Sequence, residues 1–223
     1  MEPLLEFAAV MRRLRAECPW KAEQTHRSLV RYLLEEAHET VEAIEAGTPA
    51  ELCEELGDLL LQVYFHAVIA EEGGAFTLDD VASGIMDKMR RRNPHVFGGA
   101  GPQASAEDVN DLWESVKAAE KERADLTDGI AASLPALLYA DKVLDRLERA
   151  GASVDTPGGA DSVGERLLAL VAEARSLGVD PEQELRESVR RRLAETNSTS
   201  SNILHTTGHE AGRQSRRARG PDE

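Results

Sequence analysis

Apolar positions recur along this chain at helical spacing, and no window alternates with the period of a strand. In 2–17 the apolar residues Leu4, Leu5, Ala8, Val10, Met11 and Leu14 predict an amphipathic helix that breaks at Pro19. Thr25, or alternatively Ser28, caps a second helix that runs to about Ala46 and stops at Gly47. Pro49 suits the first turn of a third helix, which runs to about Glu72 and ends at Gly73-Gly74. A fourth helix starts at Thr77 or Asp79 and ends before Pro94. A glycine-rich loop, NPHVFGGAGPQAS, leads to a charged fifth helix near 105–122. Weaker helical patterns follow near 133–150, 162–177 and 181–195. From Asn197 onward few apolar residues remain, and that composition predicts a disordered tail.

Composition supports an all-α reading. Aromatic residues are only 4% of the 223, so the core rests on Leu, Val, Ile and Ala. The formal charge of −15 argues against nucleic acid as a partner, though a local cation can still reverse the sign at one site. Cys18 and Cys53 form neither a CxxC pair nor a zinc spacing, which suits a reducing cytoplasm. The N-terminal stretch has no basic region before an apolar core, so it does not read as a signal peptide, and no apolar run is long enough to span a membrane.

Two helices carry paired carboxylates. LLEEAHE holds Glu35, Glu36 and Glu39; EELGD holds Glu54, Glu55 and Asp58. Residues three apart share a helix face, so Glu36 projects with Glu39 and Glu55 with Asp58. Each pair lies on the same flank of its apolar stripe. The short link at 47–49 makes the two helices antiparallel neighbours, so the four acids converge. Like charges about 5 Å apart repel by about 3 kcal/mol at an effective dielectric near 20. Such a group therefore keeps protons or gathers a cation, and an all-oxygen set favours magnesium, manganese or calcium over zinc. A lone ExxE would read as a solvated acidic face; two in matching register are more specific.

A phosphate held at such a site calls for cations. Lys88, Arg91 and Arg92 stand at the end of the fourth helix, with Lys88 and Arg92 on one face. Trp113 and Lys117 share a face of the fifth, where a base could stack beside a phosphate contact. The six histidines show no usable ligand spacing, and no Walker A motif is present. A faint internal repeat relates ELGDLLLQVYFHAVIAEEG at 55–73 to SVGERLLALVAEARSLG at 162–178. Each copy leads to an arginine run, at 90–92 and 190–192.

The blocks CPWKAEQTH, LLEEAHETVEAIEAG, EELGDLLLQVYFHAVIAEE and DKMRRRNPHVFG together resemble the MazG family of nucleoside triphosphate pyrophosphohydrolases. The resemblance is strongest over roughly 10–122 and fades through about 196. It implies a MazG-like four-helix bundle in 1–125, a degenerate second helical repeat in 126–196 and a tail in 197–223. It further implies magnesium, with manganese as a substitute, on Glu36, Glu39, Glu55 and Asp58, and nucleotide contacts from Lys88, Arg92, Trp113 and Lys117. The expected reaction is hydrolysis of nucleoside triphosphates at the α-phosphorus, yielding monophosphate and pyrophosphate, as nucleotide-pool housecleaning by a homodimer or dimer of dimers. Glu35 or Glu54, each beside a ligand, is the candidate to orient the water. The rival reading is a nucleotide-binding regulatory or scaffold protein without turnover. Lys21 stands where the family commonly has aspartate, and the second repeat lacks an ExxE helix.

Overall fold

The computed structural model describes residues 2–98, 105, 108–109, 112–113, 115–116, 120, 125–152 and 162–197. Every regular element among them is a helix. The chain divides into two compact units, Met1–Lys121 and Glu122–Glu223.

The first unit contains α1 (Pro3–Glu17), α2 (Pro19–Glu23), α3 (Val30–Ala46), α4 (Pro49–Glu72), α5 (Leu78–Arg92) and α6 (Pro94–Phe97). Described residues 108–109, 112–113 and 115–116 are also helical. α4 is the organising helix. Its Tyr64, Phe65 and Val68 pack with Ala8 and Met11 of α1 and with Leu29. The α1 stripe is narrower than its sequence suggests, since Leu4, Leu5 and Val10 are exposed. The Tyr64 ring sits 4.7 Å from Phe7, and its hydroxyl donates to the Leu4 carbonyl at 3.1 Å.

Capping chemistry sets several helix ends. Thr48 and Glu51 form a reciprocal capping box at the start of α4, as do Thr77 and Asp80 at α5. Thr25 and Ser28 also exchange backbone-to-hydroxyl hydrogen bonds, at 2.9 and 3.1 Å. Here the box closes a turn over 26–29, and α3 proper begins only at Val30. Pro19 breaks α1 as expected and then starts the short helix α2.

Residues 18–29 are anchored from two sides. The Arg15 guanidinium donates to the carbonyls of Lys21 and Gln24 and pairs with Glu72 at 2.9 Å. His26 and His66 meet Nδ1 to Nδ1 at 2.8 Å, with rings 1° from parallel, so one ring donates its Nδ1–H to the other. Burial, and then the nearby His26, push the His66 pKa below its ordinary value. Lys21 places its ammonium 5.4 Å from the Trp20 ring and 5.2 Å from Phe65, a cation–π use of the position where the resemblance expects aspartate.

α3 and α4 turn back on one another through Gly47, which caps α3 by donating to the Ala43 carbonyl at 3.0 Å. A Cβ at Gly47 would lie 2.8 Å from both the Ala43 Cα and its carbonyl oxygen, so the backbone would have to move. Gly47→Ala is expected to cost about 1–3 kcal/mol of stability. At Gly57, inside α4, a Cβ meets nothing within 4 Å. Gly57→Ala should instead stabilise by about 0.5–1 kcal/mol through helix propensity. Urea denaturation of both variants checks the contrast, and equal effects would contradict it.

The second unit contains α7 (Ala136–Arg149), α8 (Val163–Ser176) and α9, residues 181–197. Leu144 and Val171 are buried in it. The Arg175 guanidinium joins α8 to α7 by pairing with Asp141 at 2.7 Å, Glu148 at 3.1 Å and Asp145 at 3.3 Å. Most of the predicted tail, 198–223, lies outside the described residues.

Candidate functional site

The antiparallel pairing of α3 with α4 brings Glu36, Glu39 and Glu55 together. Each offers an oxygen within 4.8 Å of the others'. Glu36 and Glu55 are half-buried and Glu39 is exposed. Thr40 helps set this register. It is buried, its hydroxyl donates to the Glu36 carbonyl at 2.7 Å, and the same oxygen lies 3.4 Å from the Glu55 carbonyl. One short side chain thus touches the backbone of an acid on each helix. The buried Ala43, one turn on, is small and lets the helices approach. A groove beside the cluster is lined by Glu39, Glu42, Ala43, Ala46, Gly47, Glu51 and Glu55.

Burial and mutual repulsion raise the pKa of two carboxyls of the cluster. Desolvation, then the charges of Asp58, Glu39, Glu55 and Glu35, push the Glu36 carboxyl above its ordinary pKa. Desolvation also leads for Glu55, followed by Glu39, Asp58, Glu54 and Glu51. Asp58 therefore acts electrostatically on both raised glutamates, although it lies outside the tight group of three. Glu35 and Glu54 are exposed, also outside that group. The donor set fits a hard divalent cation. It is all oxygen, it is convergent, and the fields that push two of its carboxyls toward protonation are those a cation would cancel.

The basic end of α5 forms a second grouping in the same unit. Arg92 is buried, and its guanidinium lies 5.3 Å from the ring centroid of Trp113, which is half-buried. Arg91 and Arg92 both pair with Glu120. This interaction holds the Glu120 carboxyl well below its usual range, at about 2. Sequence reasoning missed Glu120 and Thr40. Thr40 carried a signal, a polar β-branched residue four positions after Glu36 in a helix interior. Glu120 carried none. Lys88 is half-buried on α5, and Lys117 lies outside the described residues.

In the second unit, the repeat pairs Ser162 with Glu55 and Glu165 with Asp58. Ser162 is the N-cap of α8, and its hydroxyl accepts from the Glu165 N–H at 3.1 Å. A position that is a clustered acid inside α4 has become the start of a helix.

Residues 24–97, from the turn before α3 through α6, match the MazG nucleotide pyrophosphohydrolase domain. Among relatives, a protein of Thermotoga maritima named nucleoside triphosphate pyrophosphohydrolase/pyrophosphatase MazG is 36% identical over 211 residues, 83% of this chain and 81% of its own length. The chain belongs to the MazG nucleotide pyrophosphohydrolase family. The nucleoside triphosphate pyrophosphohydrolase of Escherichia coli K12 is 38% identical over 187 residues, covering 81% of this chain and 71% of that one. The protein of the same name from Mycobacterium tuberculosis is 48% identical over 152 residues, 67% of this chain but only 46% of its own length. The chain thus spans less than half of the mycobacterial protein. The MazG match contains Glu36, Glu39, Glu55 and Asp58 together with Lys88, Arg91 and Arg92. As a MazG-family protein the chain is an enzyme of the class that hydrolyses phosphoric anhydrides.

Proposed function

We propose that this protein is a magnesium-dependent nucleoside triphosphate pyrophosphohydrolase that cleaves at the α-phosphorus, and that its first unit carries the site. The convergence of Glu36, Glu39 and Glu55 on one point, with Asp58 beside them, is the observation that supports this reading most directly. In it, Glu36, Glu39, Glu55 and Asp58 hold the metal, with manganese able to replace magnesium. Magnesium bound there would supply Lewis-acid polarisation of the phosphates.

The chain's own residues supply the rest. Lys88, Arg91, Arg92 and Lys117 take the charge of the phosphates. Trp113 offers a face to the base. Glu35 or Glu54 accepts a proton from the attacking water, whose oxygen bonds to the α-phosphorus as the bridge to the β-phosphate breaks. Monophosphate and pyrophosphate leave.

The second unit is, in this reading, a degenerate repeat that serves packing or assembly, since Ser162 replaces a ligand. A homodimer or dimer of dimers fits the first unit, which leaves Leu34, Leu56, Val63, Ile85 and Met86 exposed on α3, α4 and α5. Clearance of unwanted nucleotides in the cytoplasm is consistent with free Cys18 and Cys53. No described helix is long and apolar enough to cross a membrane. The test is product analysis over a panel of ribo- and deoxynucleoside triphosphates, with magnesium and with chelator. Monophosphate and pyrophosphate in equal amounts, lost on chelation, are expected. Diphosphate with orthophosphate, or turnover indifferent to chelation, would contradict the reading.

A further inference from the structure

Arg91 and Arg92 are successive residues on α5, so their side chains leave the helix about 100° apart. They nevertheless converge on one carboxylate. Arg91 Nε donates to Glu120 Oε1 at 2.5 Å. Arg92 donates to Oε2 from Nε at 3.0 Å and from Nη2 at 2.5 Å. The helix does not impose this convergence; the shared acceptor does. The Arg92 and Glu120 side chains are only 10% and 16% exposed, whereas that of Arg91 is 54% exposed. The Arg92 guanidinium also lies over the Trp113 ring, 5.3 Å from its centroid.

A carboxylate that gives one oxygen to each of two guanidinium groups offers the same pair of acceptors as two non-bridging oxygens of a phosphate. We propose that Glu120 is an internal stand-in for phosphate, which occupies the Arg91–Arg92 pair until a polyphosphate displaces it, and so sets the affinity of the site. This rests on the reading above that these arginines contact nucleotide.

The physical logic is an exchange of counter-ions. Arg92 is buried, and a buried guanidinium without a partner is costly. Glu120 offsets that cost while no nucleotide is bound. An incoming polyphosphate carries more charge and more acceptor oxygens than a carboxylate, so it can win the pair, but its net gain is reduced by the interaction it breaks. A ligand with a single phosphate group has less to offer and competes less well. Glu120 thereby lowers the affinity for every phosphate ligand by a common factor, which leaves only ligands with several phosphates bound tightly, and its return to the arginines favours product release.

The experiment is calorimetric titration of the full-length chain with methylenediphosphonate, a non-hydrolysable polyphosphate mimic, in magnesium at fixed ionic strength. Glu120→Gln removes the charge and keeps the shape; it is expected to tighten binding about fivefold. Glu120→Asp, one methylene shorter, should shift binding the same way and decides the matter should the glutamine variant not fold. Unchanged or weaker binding in variants with the wild-type helical spectrum would overturn the proposal, because a residue that merely orients the arginines would loosen binding when altered. Arg92→Ala separates the two layers. If it binds as tightly as wild type, the arginine-contact reading itself fails. If it binds more weakly while neither Glu120 variant binds more tightly, only the stand-in role fails.

Discussion

Glu55→Gln is expected to reduce turnover by on the order of a thousandfold while leaving the metal-free protein slightly more stable. The two effects have one origin. Desolvation and neighbouring acids raise the Glu55 pKa, so the folded chain holds that proton more readily than the unfolded chain does. For a raised carboxyl, the stability it contributes is full below the ordinary value of 4.5 and is lost as pH rises through the folded one. At neutral pH the ionised group is therefore a burden, which an uncharged glutamine removes. The gain in melting temperature at neutral pH should fade as the solution is acidified through the raised folded value toward 4.5. Magnesium reverses the balance. At about 100 times its dissociation constant it should raise the wild-type melting temperature by about 5–10 °C, and the variant's by little. Glu36, raised by desolvation and by Asp58, should behave alike. Thermal scans with chelator and with magnesium give both readings. A variant less stable than wild type in chelator, yet equally stabilised by magnesium, would contradict this picture of the cluster.

Phe65→Ala should cost about 3–5 kcal/mol, the largest stability loss expected from any single truncation in the first unit. Phe65 is 3% exposed within the core that joins α1 and α4, and its ring also carries the Lys21 ammonium. Its loss leaves a cavity beside Met11 and Leu29 and removes the cation–π contact that holds the 18–24 segment. Because the chain has two units, the effect should fall on the first unit's transition alone. Urea unfolding followed by Trp20 and Trp113 fluorescence reports that transition. A loss under about 1 kcal/mol would mean that the α1–α4 core can collapse around the deletion.

Helix boundaries were legible where a residue can do only one thing. Gly47, Gly73-Gly74 and Pro94 end or start helices as their backbone chemistry demands. Thr25 and Ser28 misled because the same reciprocal hydrogen bonding that caps a helix also closes an isolated turn. The juxtaposition of Glu36, Glu39 and Glu55 was readable because two local facts fix it, the three-residue spacing and the short link at Gly47. Glu35 and Glu54 project away from that point because each is one residue, or about 100°, from its neighbour. The pairing of His26 with His66, 40 positions apart, and of Arg92 with Glu120, 28 apart, had no sequence signal. Nothing in a local pattern says which distant charge a side chain will meet.

The central claim is attack by water on the α-phosphorus at the carboxylate site, and the position of an oxygen label tests it most directly. The wild-type chain is incubated with magnesium and a nucleoside triphosphate in water enriched in oxygen-18, and both products are weighed by mass spectrometry. The account predicts one heavy oxygen in the monophosphate, none in the pyrophosphate, and about a thousandfold less product from Glu55→Gln. Label in the pyrophosphate, or full turnover by Glu55→Gln, would contradict it.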